Sequence, residues 1–186
     1  SSRIVMTDGH DGVGEAGWTL HIDEGDTLHS FSVSFEIRAV GSMKTSPPSS
    51  SSSSSGGVGL PLAEIAAGAE RRRVLINRNT GFLQYVEFVG NDGGQAPLPN
   101  ILRGGSRDLL DGEWHMITVT HHWARKETVI YVDGSLLSVP GGGDPGYVER
   151  LAPTNISLIT TSLARNTLDP TARFLQCRDW MVYRAG

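Results

Sequence analysis

Cysteine occurs only once in the 186 residues, at Cys177, so no intramolecular disulfide can form. A chain of this length can bury a stable core without one, which leaves the compartment open. As a lone thiol inside an apolar run, Cys177 reads as a small core residue rather than a reactive group. Long hydrophobic runs are also missing: no stretch approaches the roughly 20 apolar residues of a membrane span. Positive charge is scarce, with 16 Lys and Arg against 20 Asp and Glu and a net charge of −4. That balance argues against a nucleic-acid or anionic-membrane surface, for which clustered basic residues are expected. The one basic run, Arg71-Arg72-Arg73, is expected to be a solvated loop or strand edge. No signal peptide is present, and the chain begins at Ser1 rather than Met. This reads as a mature chain or a fragment excised from a larger polypeptide.

What is present is glycine, 23 residues of it, in turn clusters that punctuate β-branched and aromatic runs. Such punctuation predicts an all-β domain rather than an alternating α/β one. The run from His29 to Ala39 alternates cleanly. Phe31, Val33, Phe35 and Ile37 share one face, and Ser32, Ser34, Glu36 and Arg38 the other, as a half-buried strand requires. Trp18–Ile22, Arg73–Arg78, Gly81–Val89, Ser135–Val139, Ile156–Ile159 and Phe174–Tyr183 are further strand candidates. Leu60–Ala69 is expected to form a short helical turn closed by Gly68. Gly90–Leu110 reads as a turn-rich connection because of its prolines and paired glycines. The tract "TSPPSSSSSSSGG" has too few apolar groups to offset the entropy of ordering it. It is expected to be an exposed insertion at 42–59, either an inert tether or a modified segment, within one domain spanning 1–186.

The strongest pattern is a β-hairpin. Asp111-Gly112 opens it, Trp114–His122 and Thr128–Val132 form its arms, and Asp133-Gly134 closes it. His115, Ile117, Val119 and His121 lie on one face; Trp114, Met116, Thr118, Thr120 and His122 lie on the other. "DGEWHMITVT…TVIYVDG" resembles the "DGxWHxVxVT…LYVDG" signature of laminin G-like domains in the concanavalin A-like lectin/glucanase superfamily. "SFSVSFEIRA" is similar to an early strand of that family, with Glu36 where the family often has Trp. "VLINRNTGFLQYVEF" and "FLQCRDWMVYRAG" resemble a central strand pair and the closing strand. The resemblance implies a two-sheet antiparallel β-sandwich of jelly-roll, concanavalin A-like type and an extracellular or cell-surface setting. It also implies a structural role for His115, packed in the sandwich behind Trp114.

Fold alone does not assign function, so candidate sites are weighed on their chemistry. A glycosidase needs two carboxyl groups about 5–9 Å apart. The acidic stretch Asp23-Glu24-Gly25-Asp26 does not place its acids on one strand face, and no Gly-x-Ser-x-Gly elbow exists for a serine nucleophile. The expectation is therefore a non-enzymatic chain. His121 and His122 are adjacent on a strand and project to opposite faces, which makes a shared zinc ion implausible. Calcium favours several oxygens from loops, making Asp23, Glu24 and Asp26 its candidate ligands. Trp123, beside Arg125 at the hairpin end, could stack on a sugar ring or equally cap the sandwich edge. Asn155-Ile156-Ser157 is a glycosylation sequon, meaningful only in a secreted chain. Together these residues point to a binding module for a glycan or an extracellular protein. An accessory protein-interaction domain without sugar binding is the alternative, and a divergent glycoside hydrolase the weakest reading.

Overall fold

The computed structural model describes residues 3–7, 16–22, 28–41, 59–68, 70–89, 98–137, 147–148, 151–160 and 174–184. In chain order the strands are β1 (Arg3–Thr7), β2 (Ala16–His21), β3 (Phe31–Val40), β4 (Gly59–Ala67), β5 (Glu70–Asn77), β6 (Phe82–Val89) and β7 (Leu98–Asp108). They continue with β8 (His115–His122), β9 (Glu127–Val132), β10 (Ser135–Leu136), β11 (Tyr147–Val148), β12 (Asn155–Thr160) and β13 (Phe174–Arg184). All pairings are antiparallel. Seven strands form one sheet in the order β1-β2-β12-β4-β5-β6-β7. The other sheet runs β10-β9-β8-β3-β13, with β11 also on β9. This is the two-sheet antiparallel jelly-roll sandwich that the resemblance at the hairpin implies, in the all-β class expected from the strand pattern.

One hydrophobic core lies between the sheets. The six-stranded sheet supplies Phe31, Val33, Phe35, Ile37, Ile117, Val119, Ile130 and Val132; the seven-stranded sheet supplies Leu60, Ile65, Val74, Ile76, Leu83, Tyr85, Ile156 and Leu158. Burying each such aromatic or aliphatic side chain contributes about 1.5–3 kcal/mol. The Phe31-x-Val33-x-Phe35-x-Ile37 alternation is why β3 sits at the centre of its sheet, between β8 and β13. No helix among the described residues is long and apolar enough to cross a membrane.

Three expectations are overturned. Leu60–Ala67 is strand β4, not a helical turn. Its helix-forming Leu, Ala and Glu residues are overridden by pairing with β5 and β12, and a register shift between Pro61 and Ala63 accommodates the proline. The region before the hairpin is not merely turn-rich, because Leu98–Asp108 forms β7. As the last strand of its sheet β7 tolerates Pro99, and two register shifts fall in its pairing with β6. Finally, Arg71–Arg73 is neither loop nor sheet edge, since β5 lies between β4 and β6. Arg72 is buried, with Nη1 2.8 Å from Glu87 and Nη2 3.3 Å from Glu70, and Arg73 pairs with Glu64 at 2.5 Å.

Most of the serine tract, the Asp23–Asp26 stretch and the 140–146 glycine loop lie outside the described residues, as does the side chain of Trp18. Asn155, the sequon asparagine, begins β12 and pairs its Oδ1 with His21 Nδ1 at 2.6 Å.

Candidate functional site

The β8–β9 hairpin carries a histidine near each end of its buried face. At the Asp111 end, His115 is 1% exposed. Its Nδ1 lies 2.9 Å from Asp133 Oδ2 and its Nε2 2.9 Å from Asp111 Oδ1. Both nitrogens face carboxylate oxygens, so both donate and the ring is an imidazolium. Asp133 also accepts the Met116 N–H at 2.8 Å and Arg107 Nη1 at 2.7 Å. The Asp133-Gly134 turn places it there: φ is +51° at Asp133 and +75° at Gly134, the geometry of a tight two-residue β-turn. Burial disfavours the His115 charge, but hydrogen bonds to Asp133 and Asp111 and their negative charges outweigh it, leaving the pKa raised. For Asp111, burial acts to raise the pKa. The Glu113 N–H, the His115 hydrogen bond and the charges of His115 and Arg107 prevail, leaving it below the usual carboxylate value. Asp133 is likewise lowered against the effect of burial, by His115, the Met116 N–H and Arg107.

At the other end His121 is fully buried and has no carboxylate partner among its described contacts. Its Nε2 accepts the Leu151 N–H at 3.3 Å, so the proton sits on Nδ1, 3.0 Å from Thr128 Oγ1. Desolvation, with the neighbouring His122 charge, lowers its pKa to about 4. His122 faces the opposite way, as expected, pairing with Glu127 while His121 pairs with Thr128. Beyond it, Trp123–Lys126 forms the hairpin turn, closed by Lys126 N–H on the Trp123 carbonyl at 3.1 Å.

Trp123 is half-buried. Its ring stacks on His29 at 4.4 Å and its backbone N–H donates to Ser30 Oγ at 3.1 Å, tying the turn to the segment entering β3. Arg125 is exposed in the same turn. The structure therefore keeps Trp123 and Arg125 together. It describes neither beside Asp23, Glu24 or Asp26, which lie outside the described residues. No group of three or more metal-ligating side chains occurs among the described residues.

The outward face of the six-stranded sheet brings further residues together. Cross-strand register sets Tyr183, Ser32, Thr120 and Val129 in one row and Met181, Ser34, Thr118, Tyr131 and Leu136 in the next. Arg178, Glu36 and Met116 form a third row, and Gln176 and Arg38 a fourth. Hydroxyls pair down the middle, Ser32 with Thr120 at 3.0 Å and Ser34 with Thr118 at 3.1 Å. Around these small side chains stand the exposed large hydrophobics of the described residues: Tyr183 at 53%, Met181 at 43%, and Met116 and Leu136 at 41% each.

The lower end of this face is closed by charge. Arg178 Nε meets Glu36 at 2.5 Å, Arg38 donates twice to Gln176, and both guanidinium groups lie over the Trp114 ring, at 3.9 and 5.0 Å. The opposite face of the sandwich differs. There Thr19–Ser157, His21–Asn155 and Glu64–Arg73 pair with one another.

A bulge creates the apolar rows. Between Arg178 and Met181 the register of β13 on β3 shifts, with Asp179 at φ +54°. Asp179 and Trp180 together oppose the single residue Phe35, so Arg178 and Met181 both face outward while Trp180 packs against the core.

No family model matches the chain, and no curated protein matches it. Among solved structures, alginate lyase Aly36B aligns over 97% of this chain and 80% of its own, with a TM-score of 0.55 at 10% identity. The binding domain of botulinum neurotoxin serotype D aligns over 99% of this chain and 43% of its own, with a TM-score of 0.50 at 12% identity. Domains LG4-5 of the mouse laminin alpha1 chain align over 91% of this chain and 40% of their own, with a TM-score of 0.48 at 15% identity. The chain thus spans about two fifths of the toxin and laminin structures. At these identities the likeness is one of fold, shared by binding domains and an enzyme alike.

Proposed function

We propose that the chain is a non-catalytic, laminin G-like binding module of a larger extracellular or cell-surface protein, and that it holds a glycan on the outward face of its six-stranded sheet. The observation that carries this reading is the face itself. Tyr183 and Tyr131 flank a strip of paired hydroxyls, Ser32–Thr120 and Ser34–Thr118, on a rigid sheet. Aromatic rings stack on the apolar faces of sugars, and the partly exposed hydroxyls of Ser32, Thr118 and Thr120, with Ser34 buried beneath them, keep lone pairs for further hydrogen bonds.

Against catalysis stands the chemistry at the hairpin. Both nitrogens of His115 are taken by carboxylates and those of His121 by Thr128 and Leu151, so neither ring offers a free base. Asp111 and Asp133 both have lowered pKa values, whereas a glycosidase acid must be held protonated.

A protein ligand is the second reading, favoured by the exposed Met116, Leu136 and Met181, which are apolar without being aromatic. Calcium at Asp23, Glu24 and Asp26 belongs to the proposal on composition, and calcium titration calorimetry on the triple alanine variant tests it. For the face, a glycan array is the direct measurement. The Met181→Ala/Tyr183→Ala variant should lose about tenfold or more in affinity for the best glycan while unfolding at an unchanged temperature. Full binding by that variant would sink the reading. A protein captured through this face, with no glycan bound, would favour the second.

A further inference from the structure

Beside the hairpin, at the Leu136 end of the outward face, lies a shallow depression of about 90 Å³ lined by Gly105, Ser106, Arg107, Val132, Ser135, Leu136 and Leu137. Its lining combines the apolar Val132, Leu136 and Leu137 with Ser106, Arg107 and Ser135. Gly105 makes the space possible: a Cβ there would come within 2.6 Å of Leu137 Cδ1. The volume has room for several waters, enough for a carboxylate group but not for a whole sugar residue.

Arg107 is 56% exposed at its side chain and is held from behind by Asp133, through Nη1 at 2.7 Å. Asp133 in turn shares the same oxygen with the His115 imidazolium and gives its other oxygen to the Met116 N–H. In the array Asp111, His115, Asp133 and Arg107, two negative groups are matched by two positive ones. His115 thus takes much of the neutralising role that Arg107 would otherwise play toward Asp133. Among the described residues one contact, to Asp133, holds the guanidinium, whose planar fork carries five donors.

We propose that this depression is a subsite for the anionic group of an acidic oligosaccharide, a uronate carboxylate docking on the Arg107 fork. The inference rests on the glycan reading above. A fork already oriented by a carboxylate suits planar two-point recognition of a second one. Ser106 and Ser135 offer hydroxyl donors beside it, and Leu136 continues from the depression onto the outward face. The row from Leu136 to Met181 crosses five strands, roughly 19 Å at the usual strand spacing. An oligosaccharide lying along that row places its terminal acid at Arg107.

Calorimetry with a polyuronate tetrasaccharide, its carboxyl-reduced neutral counterpart and inorganic sulfate tests the proposal. The wild-type protein should bind the acidic form about tenfold more tightly, a preference that weakens with salt. Arg107→Ala should erase the preference with only a small change in thermal unfolding, and Arg107→Lys should keep part of it. Equal binding of the acidic and neutral forms by the wild type overturns the proposal and leaves the glycan reading standing. Absence of binding by either overturns both. Displacement of the tetrasaccharide by sulfate at equal concentration overturns the assignment to a uronate, since it marks a site for any anion.

Discussion

His115 and His121 stand on the same strand, on the same face, and both are buried from solvent, yet their proton affinities move in opposite directions. Burial penalises the charge of both rings. At His115 two carboxylates overcome that penalty; at His121 a hydroxyl and a backbone N–H do not, and the ring stays neutral. The partner atoms, rather than the depth of burial, decide the charge. One end of the hairpin is consequently an ionic lock and the other a neutral, dry one.

The largest effect should come from breaking the ionic lock. Asp133→Asn suits the left-handed turn but replaces one carboxylate oxygen by an N–H₂, which must face either His115 and Arg107 or the Met116 N–H, and it removes the negative charge. It should cost about 2–4 kcal/mol in urea unfolding at neutral pH. A loss as small as that of a surface pair would mean the lock carries little.

Next comes pH, where the two ends should act with opposite sign. The His121 pKa is about 4 in the fold, below the ordinary value of 6.5. Its stabilisation is present above pH 6.5 and is lost as pH falls through 4, by about 3 kcal/mol in all. The His115 pKa is raised, so its contribution is complete below 6.5 and is lost as pH rises through the folded value. Urea unfolding across pH 4–8 should show a steeper acid slope for the wild type than for His121→Gln. An identical acid slope in that variant would contradict the assignment.

Smaller still, Thr128→Val removes the acceptor for His121 Nδ1–H and should cost about 1–2 kcal/mol, sharpening the neutral end alone. The smallest effect is expected from Arg107→Ala. Its half-exposed pair with Asp133 should be worth less than about 1 kcal/mol in thermal unfolding, because His115 continues to hold the carboxylate.

Much of this hairpin can be read in the chain. The Asp-Gly pairs predict the turns that flank it, and alternation separates His121 from His122. Asp111 and Asp133, read as turn formers, also carry the carboxylates that clamp His115, and turn chemistry alone does not reveal that second role. Missed elements share a cause. β4 is made of good helix formers and β7 of turn residues, and both become strands because neighbouring strands satisfy their backbone groups. Arg72 looks solvated in a run of three arginines; Glu87 across β6 makes it an interior ion pair.

The outward face shows where the division falls. Local patterning determined the all-β class, the apolar face of β3 and the hydroxyls of its other face, because successive residues in a strand must alternate. Continued from Leu175 and Cys177, the same alternation would turn Met181 and Tyr183 into the core. Only the bulge at Asp179–Trp180, formed where β13 meets β3, reverses the phase. It carries the tryptophan inward and exposes the methionine and tyrosine. The proton states of His115 and His121 were decided in the same way, by residues up to 30 positions distant brought within hydrogen-bond reach. A period of two is a property of the chain; a phase shift or a charge partner is a property of what the chain packs against.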